Sequence, residues 1–134
     1  MTNSRSLRSS SHFERFVLDQ LADLGPLTSR RMFGGIGLYS RDVFFGIIAR
    51  DELYLKVDEE SRRDYQEAGM HAFQPFGGQR QSMQYYCVPV AVLESGPELV
   101  RWARKAVAVA QRAAPVPRGR AQGRASRRAV RTAT

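Results

Sequence analysis

Apolar residues at Phe13, Val17, Leu21 and Leu24 share one face of a 3.6-residue period, so residues 12–24 are predicted to form an amphipathic helix. Ser11 and Glu14 make a Ser-x-x-Glu capping box at its start, and Gly25-Pro26 supplies a stop. From residue 29 to 57 the pattern shortens to β-type runs, RRMF, IGLYS, VFFGIIA and LYLKV. They are separated by Gly34-Gly35, Arg41-Asp42 and Arg50-Asp51-Glu52, which have the lengths of hairpin connections. An antiparallel meander follows, although the first two runs can also be joined as one bulged strand. Leu53, Leu55 and Val57 alternate with Tyr54 and Lys56, so one face points to a core and the other carries an aromatic ring and a charge.

Asp58 is a good N-cap, and Glu59 and Glu60 complement the dipole of a short helix running to Ala68, where Gly69 ends it. HAFQPF (71–76) begins another extended segment, GGQRQ (77–81) is a turn, and residues 83–88 form the last strand, with Pro89 at its end. Ser95, Pro97 and Glu98 provide an N-cap, an N1 proline and a second capping box. Leu99, Trp102, Ala103, Ala106 and Ala110 then take up helical spacing to about Arg112, before Pro115 and Pro117. The order α-β(3 or 4)-α-β(2)-α implies a two-layer α+β fold, an antiparallel sheet of about five strands with helices on one face.

The chain of 134 residues accommodates one domain, placed at 12–112, with residues 1–11 and 113–134 expected to be disordered. The net charge of +8 changes this picture once it is located. Residues 112–134 hold seven arginines and no acidic residue, whereas the rest of the chain is nearly neutral. No apolar run approaches the roughly 18–20 residues needed to cross a bilayer, and the first eleven residues lack the apolar stretch of a secretory signal. The cytoplasm is the expected compartment, with no membrane partner.

Cys87 is the single cysteine, set in the apolar run YYCVPVAV and expected to be a buried, inert thiol. With only His12 and His71 besides, no Cys/His cluster has metal-ligand spacing, and no structural metal is expected. The glycines of GGIG do not follow a phosphate-loop spacing and precede a strand rather than a helix, so they are expected to make a sharp turn or bulge. Asp58, Glu59 and Glu60 are explained by capping, and no second group completes an acid/base mechanism. The chain is therefore expected to be non-enzymatic and without a cofactor.

Arg30 and Arg31 sit next to each other on a strand, one toward each face, and Lys56 lies beside Tyr54 where a basic-aromatic patch could form. Tyr85 and Tyr86, with Phe73, Phe76 and Trp102, are candidates for a stacking platform, but neighbouring strand residues face opposite ways. Only one tyrosine can join such a platform while the other packs in the core. In the tail, Arg118, Arg120, Arg124, Arg127, Arg128 and Arg131 are spaced by small residues, suited to neutralising phosphates without reading sequence.

The runs RRMFGGIGLY (30–39), FFGIIA (44–49), LYLKVDEESR (53–62) and MQYYCVP (83–89) together resemble the N-terminal domain of the TfoX/Sxy family, over roughly residues 12–111. The signature residues are Arg31, Met32, Phe33, Gly34, Gly35, Gly37, Tyr39, Tyr86, Pro89 and Trp102. That family is associated with the regulation of natural competence in bacteria. The resemblance implies the same α+β arrangement and a transcriptional co-regulator acting through a protein partner, with nonspecific DNA contact by the basic tail. The alternative is a small-ligand or enzymatic domain with a pocket between sheet and helices, lined by Arg31, Tyr54 or Tyr86. A third reading is a homodimer formed through a sheet edge or the helix that carries Trp102.

Overall fold

The computed structural model describes residues 9–32, 34–74 and 82–113. Helix α1 (Ser11–Gln20) continues through a 3₁₀ turn (Ala22–Leu24). Strands β1 (Leu27–Met32), β2 (Gly35–Ser40), β3 (Val43–Ala49) and β4 (Glu52–Lys56) follow as a meander, then α2 (Arg62–Glu67), β5 (Ala72–Phe73), β6 (Ser82–Cys87), α3 (Val90–Leu93) and α4 (Gly96–Ala113). All pairings are antiparallel, and the six strands lie in the order β1-β2-β3-β4-β6-β5. The fold is α+β as expected, with one strand more than the sequence pattern suggests, because β1 and β2 are separate strands rather than one bulged strand. Gly34, at φ 86°, sits between them in a conformation that costs other residues a Cβ clash.

One face of the sheet carries the main core. Leu38, Phe45, Ile48, Leu53, Leu55 and Tyr86 meet Val17 and Leu21 of α1, Tyr65 of α2 and Leu99, Ala103, Ala106 and Ala110 of α4. The predicted stripe of α1 is the one that packs: Phe13, Val17, Leu21 and Leu24 all join this cluster. On α4 the small alanines let the helix lie close against β3 and β4.

Two caps differ from expectation. Ser10, not Ser11, caps α1, its hydroxyl accepting from the Phe13 N–H at 3.1 Å, because its own N–H is held by the Asp51 carboxylate at 2.7 Å. Asp58 caps a turn before α2 rather than the helix itself. Its carboxylate accepts from the Ser61 N–H at 2.8 Å, while the Ser61 hydroxyl accepts from the Asp58 N–H at 3.0 Å. Ser95 does open α4, its carbonyl accepting from the Leu99 N–H at 2.8 Å. The disorder expected of residues 1–8 and 114–134 lies outside the described residues, whereas Ser9, Ser10 and Ser11 are tied to Asp51 or to α1.

Candidate functional site

The second face of the sheet is built differently. Ile47, Ala49, Tyr54, Phe73, Tyr85 and Cys87 form a separate buried cluster with Phe44 and Met70 packed against it, and among the described residues none from a helix belongs to that cluster. The strand alternation produces it: Ile47 lies opposite Tyr54 and Tyr54 opposite Cys87, while Lys56 lies opposite Tyr85. A register shift between Leu38 and Tyr39 brings Tyr39 opposite Phe44. Gly37 leaves the room this needs, since a Cβ there would stand 2.6 Å from the end of Met32 and 3.0 Å from the Phe44 ring.

Rings then run across the face. Tyr39 and Phe44 have centroids 5.1 Å apart, and Phe44 and Tyr85 5.7 Å. A cation caps each end, Arg30 at 5.1 Å from the Tyr39 ring and Lys56 at 5.2 Å from the Tyr85 ring. The Lys56 ammonium also donates to Gln84 Oε1 at 2.6 Å, and its partial burial draws its pKa below the usual lysine range. Burial pushes the Tyr85 hydroxyl up to about 12. The expected split of the tyrosine pair is observed, with Tyr85 on this face and Tyr86 in the main core beside Tyr65. The candidate stacking platform is not assembled: Tyr85 is 9% exposed and Trp102 lies across the sheet, edge-on to Tyr65 at 4.8 Å. Phe76 is outside the described residues.

At the β4–β6–β5 end of the same face, polar groups converge. The Tyr54 hydroxyl donates to Glu52 Oε1 at 2.6 Å and lies 3.3 Å from His71 Nε2, which is itself 3.5 Å from Glu52 Oε1. Cys87 completes the group, since one ligand atom from each of Glu52, His71 and Cys87 lies within 4.8 Å of the others. Burial, with a smaller contribution from the Glu52 charge, pushes the Cys87 thiol up to about 12 and keeps it protonated at neutral pH. Burial also raises the Tyr54 hydroxyl, as does its bond to Glu52. The thiol is buried as expected, but it is not isolated. His71 and Cys87 are 16 positions apart in the sequence, and only the pairing of β4 with β6 and the hydrogen bond from Cys87 N–H to His71 C=O, 3.0 Å, bring the three residues together.

On the helix side, a cleft of about 630 Å³ between α2 and α4 is lined by Lys56, Tyr65, Pro89, Trp102 and Lys105, among others. Lys105 reaches Asp64 across it at 3.5 Å. Arg31, Tyr54 and Tyr86, the residues expected to line a ligand pocket, do not line it. Tyr86 is closed into the core, and Arg31 is exposed on β1. Nearby, Arg112 Nη2 binds Asp58 Oδ2 at 3.0 Å. The Asp58 carboxyl is held down at about 2, first by the Ser61 N–H and then by the Ser61 hydroxyl and Arg112. Capping thus accounts for Asp58 structurally, while Glu59 and Glu60 are exposed.

The signature residues divide between the two sides. Met32, Gly34, Gly35, Gly37 and Tyr39 shape the β1–β2 hairpin next to the aromatic face, and Arg31 lies on the outer strand. Tyr86, Pro89 and Trp102 belong to the helix side. Phe33 lies outside the described residues, as do Arg118, Arg120, Arg124, Arg127, Arg128 and Arg131. Among the described residues no helix is long and apolar enough to cross a membrane.

The sequence model of the TfoX N-terminal domain family matches residues 19–110. The chain is also similar to the DNA transformation protein TfoX1 of Aliivibrio fischeri (strain ATCC 700601 / ES114), with 32% identity over 63 residues. That stretch is 47% of this chain and 30% of the relative, so the likeness spans less than a third of that protein.

Proposed function

Given that this chain belongs to the TfoX N-terminal domain family, we propose that it is a non-enzymatic regulatory adaptor, a co-regulator of transcription in a process of the DNA-transformation type named for its relative. It acts through a protein partner, and its arginine-rich tail holds DNA without reading its sequence. The observation that carries the partner half of this reading is the edge strand β1. Strand β1 ends the strand order, and its Thr28, Ser29, Arg30 and Arg31 side chains are exposed, which offers backbone hydrogen bonds and two cations to an incoming chain. A second copy of the protein pairing through the same edge is a dimeric form of the same use.

The tail half rests on charge. Seven arginines over residues 112–134 with no acid among them correspond to a salt slope of about −6 if each meets a phosphate. The test is binding of the full chain to unrelated duplex DNAs over a series of salt concentrations. A full-length variant with Arg118, Arg120, Arg124, Arg127, Arg128 and Arg131 replaced by serine is measured beside it. The slope is expected to shrink by about 5 in the variant, with equal affinity among the duplexes before and after. Absence of binding by both chains at moderate salt overturns direct DNA contact. For the partner, cross-linking with the full chain should lose its product in an Arg30→Glu/Arg31→Glu variant; an unchanged product removes the β1 edge from the interface.

A further inference from the structure

The polar node on the aromatic face has a composition that its packing alone does not require. We propose that Glu52, His71 and Cys87 form a binding site for one divalent transition-metal ion of borderline softness, with Zn2+ as the representative. A thiolate, an imidazole and a carboxylate are the three ligand types that zinc takes, and hard cations such as Mg2+ do not take thiolate. The geometry is close to what is needed. Two ligand atoms on a tetrahedral zinc stand about 3.3–3.6 Å apart, from the usual metal–ligand bond lengths. His71 Nε2 and Glu52 Oε1 already stand 3.5 Å apart, and no pair in the trio exceeds 4.8 Å.

The remaining closure falls to side chains that can move. The His71 and Glu52 side chains are 52% and 44% exposed, which gives them freedom to rotate and gives the ion a path in. Cys87 is buried and fixed, with its backbone N–H on His71 C=O at 3.0 Å and its register opposite Tyr54. All three ligands therefore hang from paired or hydrogen-bonded backbone rather than from a free loop, the placement that holds a site to tight tolerance. The Tyr54 hydroxyl, 2.6 Å from Glu52 Oε1, is an outer-shell donor that orients the carboxylate, and a water completes four-coordination. The nearby cation Arg50 has its guanidinium turned to Gln74 C=O at 3.0 Å. Two anionic ligands outweigh it. On binding, the Cys87 S–H bond breaks, the sulfur keeps the electron pair and donates it to the metal, and the proton leaves to solvent.

The same trio could suggest a nucleophilic thiol with a histidine base and a carboxylate behind it. That arrangement uses the two ring nitrogens on opposite sides, one toward the thiol and one toward the acid. Here a single nitrogen, His71 Nε2, faces both Glu52 and the Tyr54 hydroxyl. Atoms converging on one point suit coordination, not relay.

The experiment is titration of the full chain with Co2+ as the spectroscopic probe, followed by competition with Zn2+. One equivalent of Co2+ should produce a near-ultraviolet thiolate-to-cobalt charge-transfer band that Zn2+ bleaches and Mg2+ does not. Cys87→Ser should lose the band. His71→Ala and Glu52→Gln, both at partly exposed positions, should weaken Co2+ binding by about tenfold or more. Because a change at buried Cys87 can unfold the chain, the thermal midpoint of the unaltered protein is a second reading, which should rise with Zn2+ and stay constant with Mg2+. Absence of the band in the unaltered chain overturns the proposal and leaves Glu52, Tyr54 and His71 as a hydrogen-bonded knot. A band with unchanged affinity in His71→Ala overturns it equally, since the ion would then be held elsewhere.

Discussion

The two faces of this sheet are made by the same six strands and differ in almost everything else. Toward the helices the side chains are mostly aliphatic, with Leu38, Ile48, Leu53 and Leu55 closed completely around Phe45. On the other face half of the buried cluster is rings, Tyr54, Phe73 and Tyr85, and cations from β1 and β4 lie over Tyr39 and Tyr85. The lesson is about division of labour. A face covered by α1 and α4 is held by burial of apolar area, which is indifferent to direction. A face on which none of the described helices packs is held by ring geometry, cation–ring contacts and hydrogen bonds, all of which depend on direction and are the kinds of contact that also recognise ligands.

The sharpest way to break that comparison is to remove the same side chain from each face. Phe44 and Phe45 are neighbours on β3 that point to opposite sides. Phe45→Ala should cost about 3–5 kcal/mol in denaturant unfolding, the range for a fully buried ring. Phe44→Ala, at a half-buried position, should cost about 1–3 kcal/mol. Equal losses would mean that both faces carry the fold alike.

A smaller effect sharpens the account of the aromatic face. Phe44 and Tyr85 stand 5.7 Å apart with planes inclined by 41°. A double-mutant cycle through Phe44→Leu and Tyr85→Leu should return a coupling of about 0.5–1.5 kcal/mol. The matching cycle through Phe44 and Leu53, on opposite faces, should return a value near zero.

The smallest effect concerns the helix side and is read from the acid limb of stability. The Asp58 carboxyl is lowered from 3.8 to about 2 in the folded protein. A depressed folded value means that the contribution is complete above the unfolded value near 3.8 and is lost as pH falls toward about 2. Asp58→Asn should therefore lower the unfolding free energy at neutral pH, where the contribution is complete, and flatten its fall across that window; one part of the loss is the Arg112 pair. That pair is well exposed and contributes modestly. An unchanged acid slope would remove Asp58 from the acid response.

Much of this was legible in the amino-acid order. The 3.6-residue stripe of α1 and the Ser95-Gly96-Pro97-Glu98 start of α4 are local signals, set by which residues recur on one face and which oxygen reaches the first free N–H groups. The meander was legible because its connections are short enough to force neighbouring strands together, and so was the opposition of Tyr85 and Tyr86, which follows from a period of two. The caps were misplaced by one to three positions: Ser10 has a partner far along the chain, Asp51, whereas Asp58 and Ser61 close a local turn on each other before α2 begins. The four-residue helix α3 (Val90–Leu93) was not anticipated, since so short a turn is fixed by where the chain must go between β6 and α4.

The sequence by itself determined the three longer helices α1, α2 and α4, the meander, the α+β class, the family and the concentration of charge at the C-terminal end, because each is written in residues close together in the chain. Only the tertiary structure decided that Glu52, Tyr54, His71 and Cys87 share one point of the sheet, or that Arg30 and Lys56 bracket a row of rings. Those neighbours come from the insertion of β6 between β4 and β5 and from the slip in register between β2 and β3. Strand order and register are settled by how all the side chains of two faces pack at once, a sum over the whole domain that no single stretch of sequence contains.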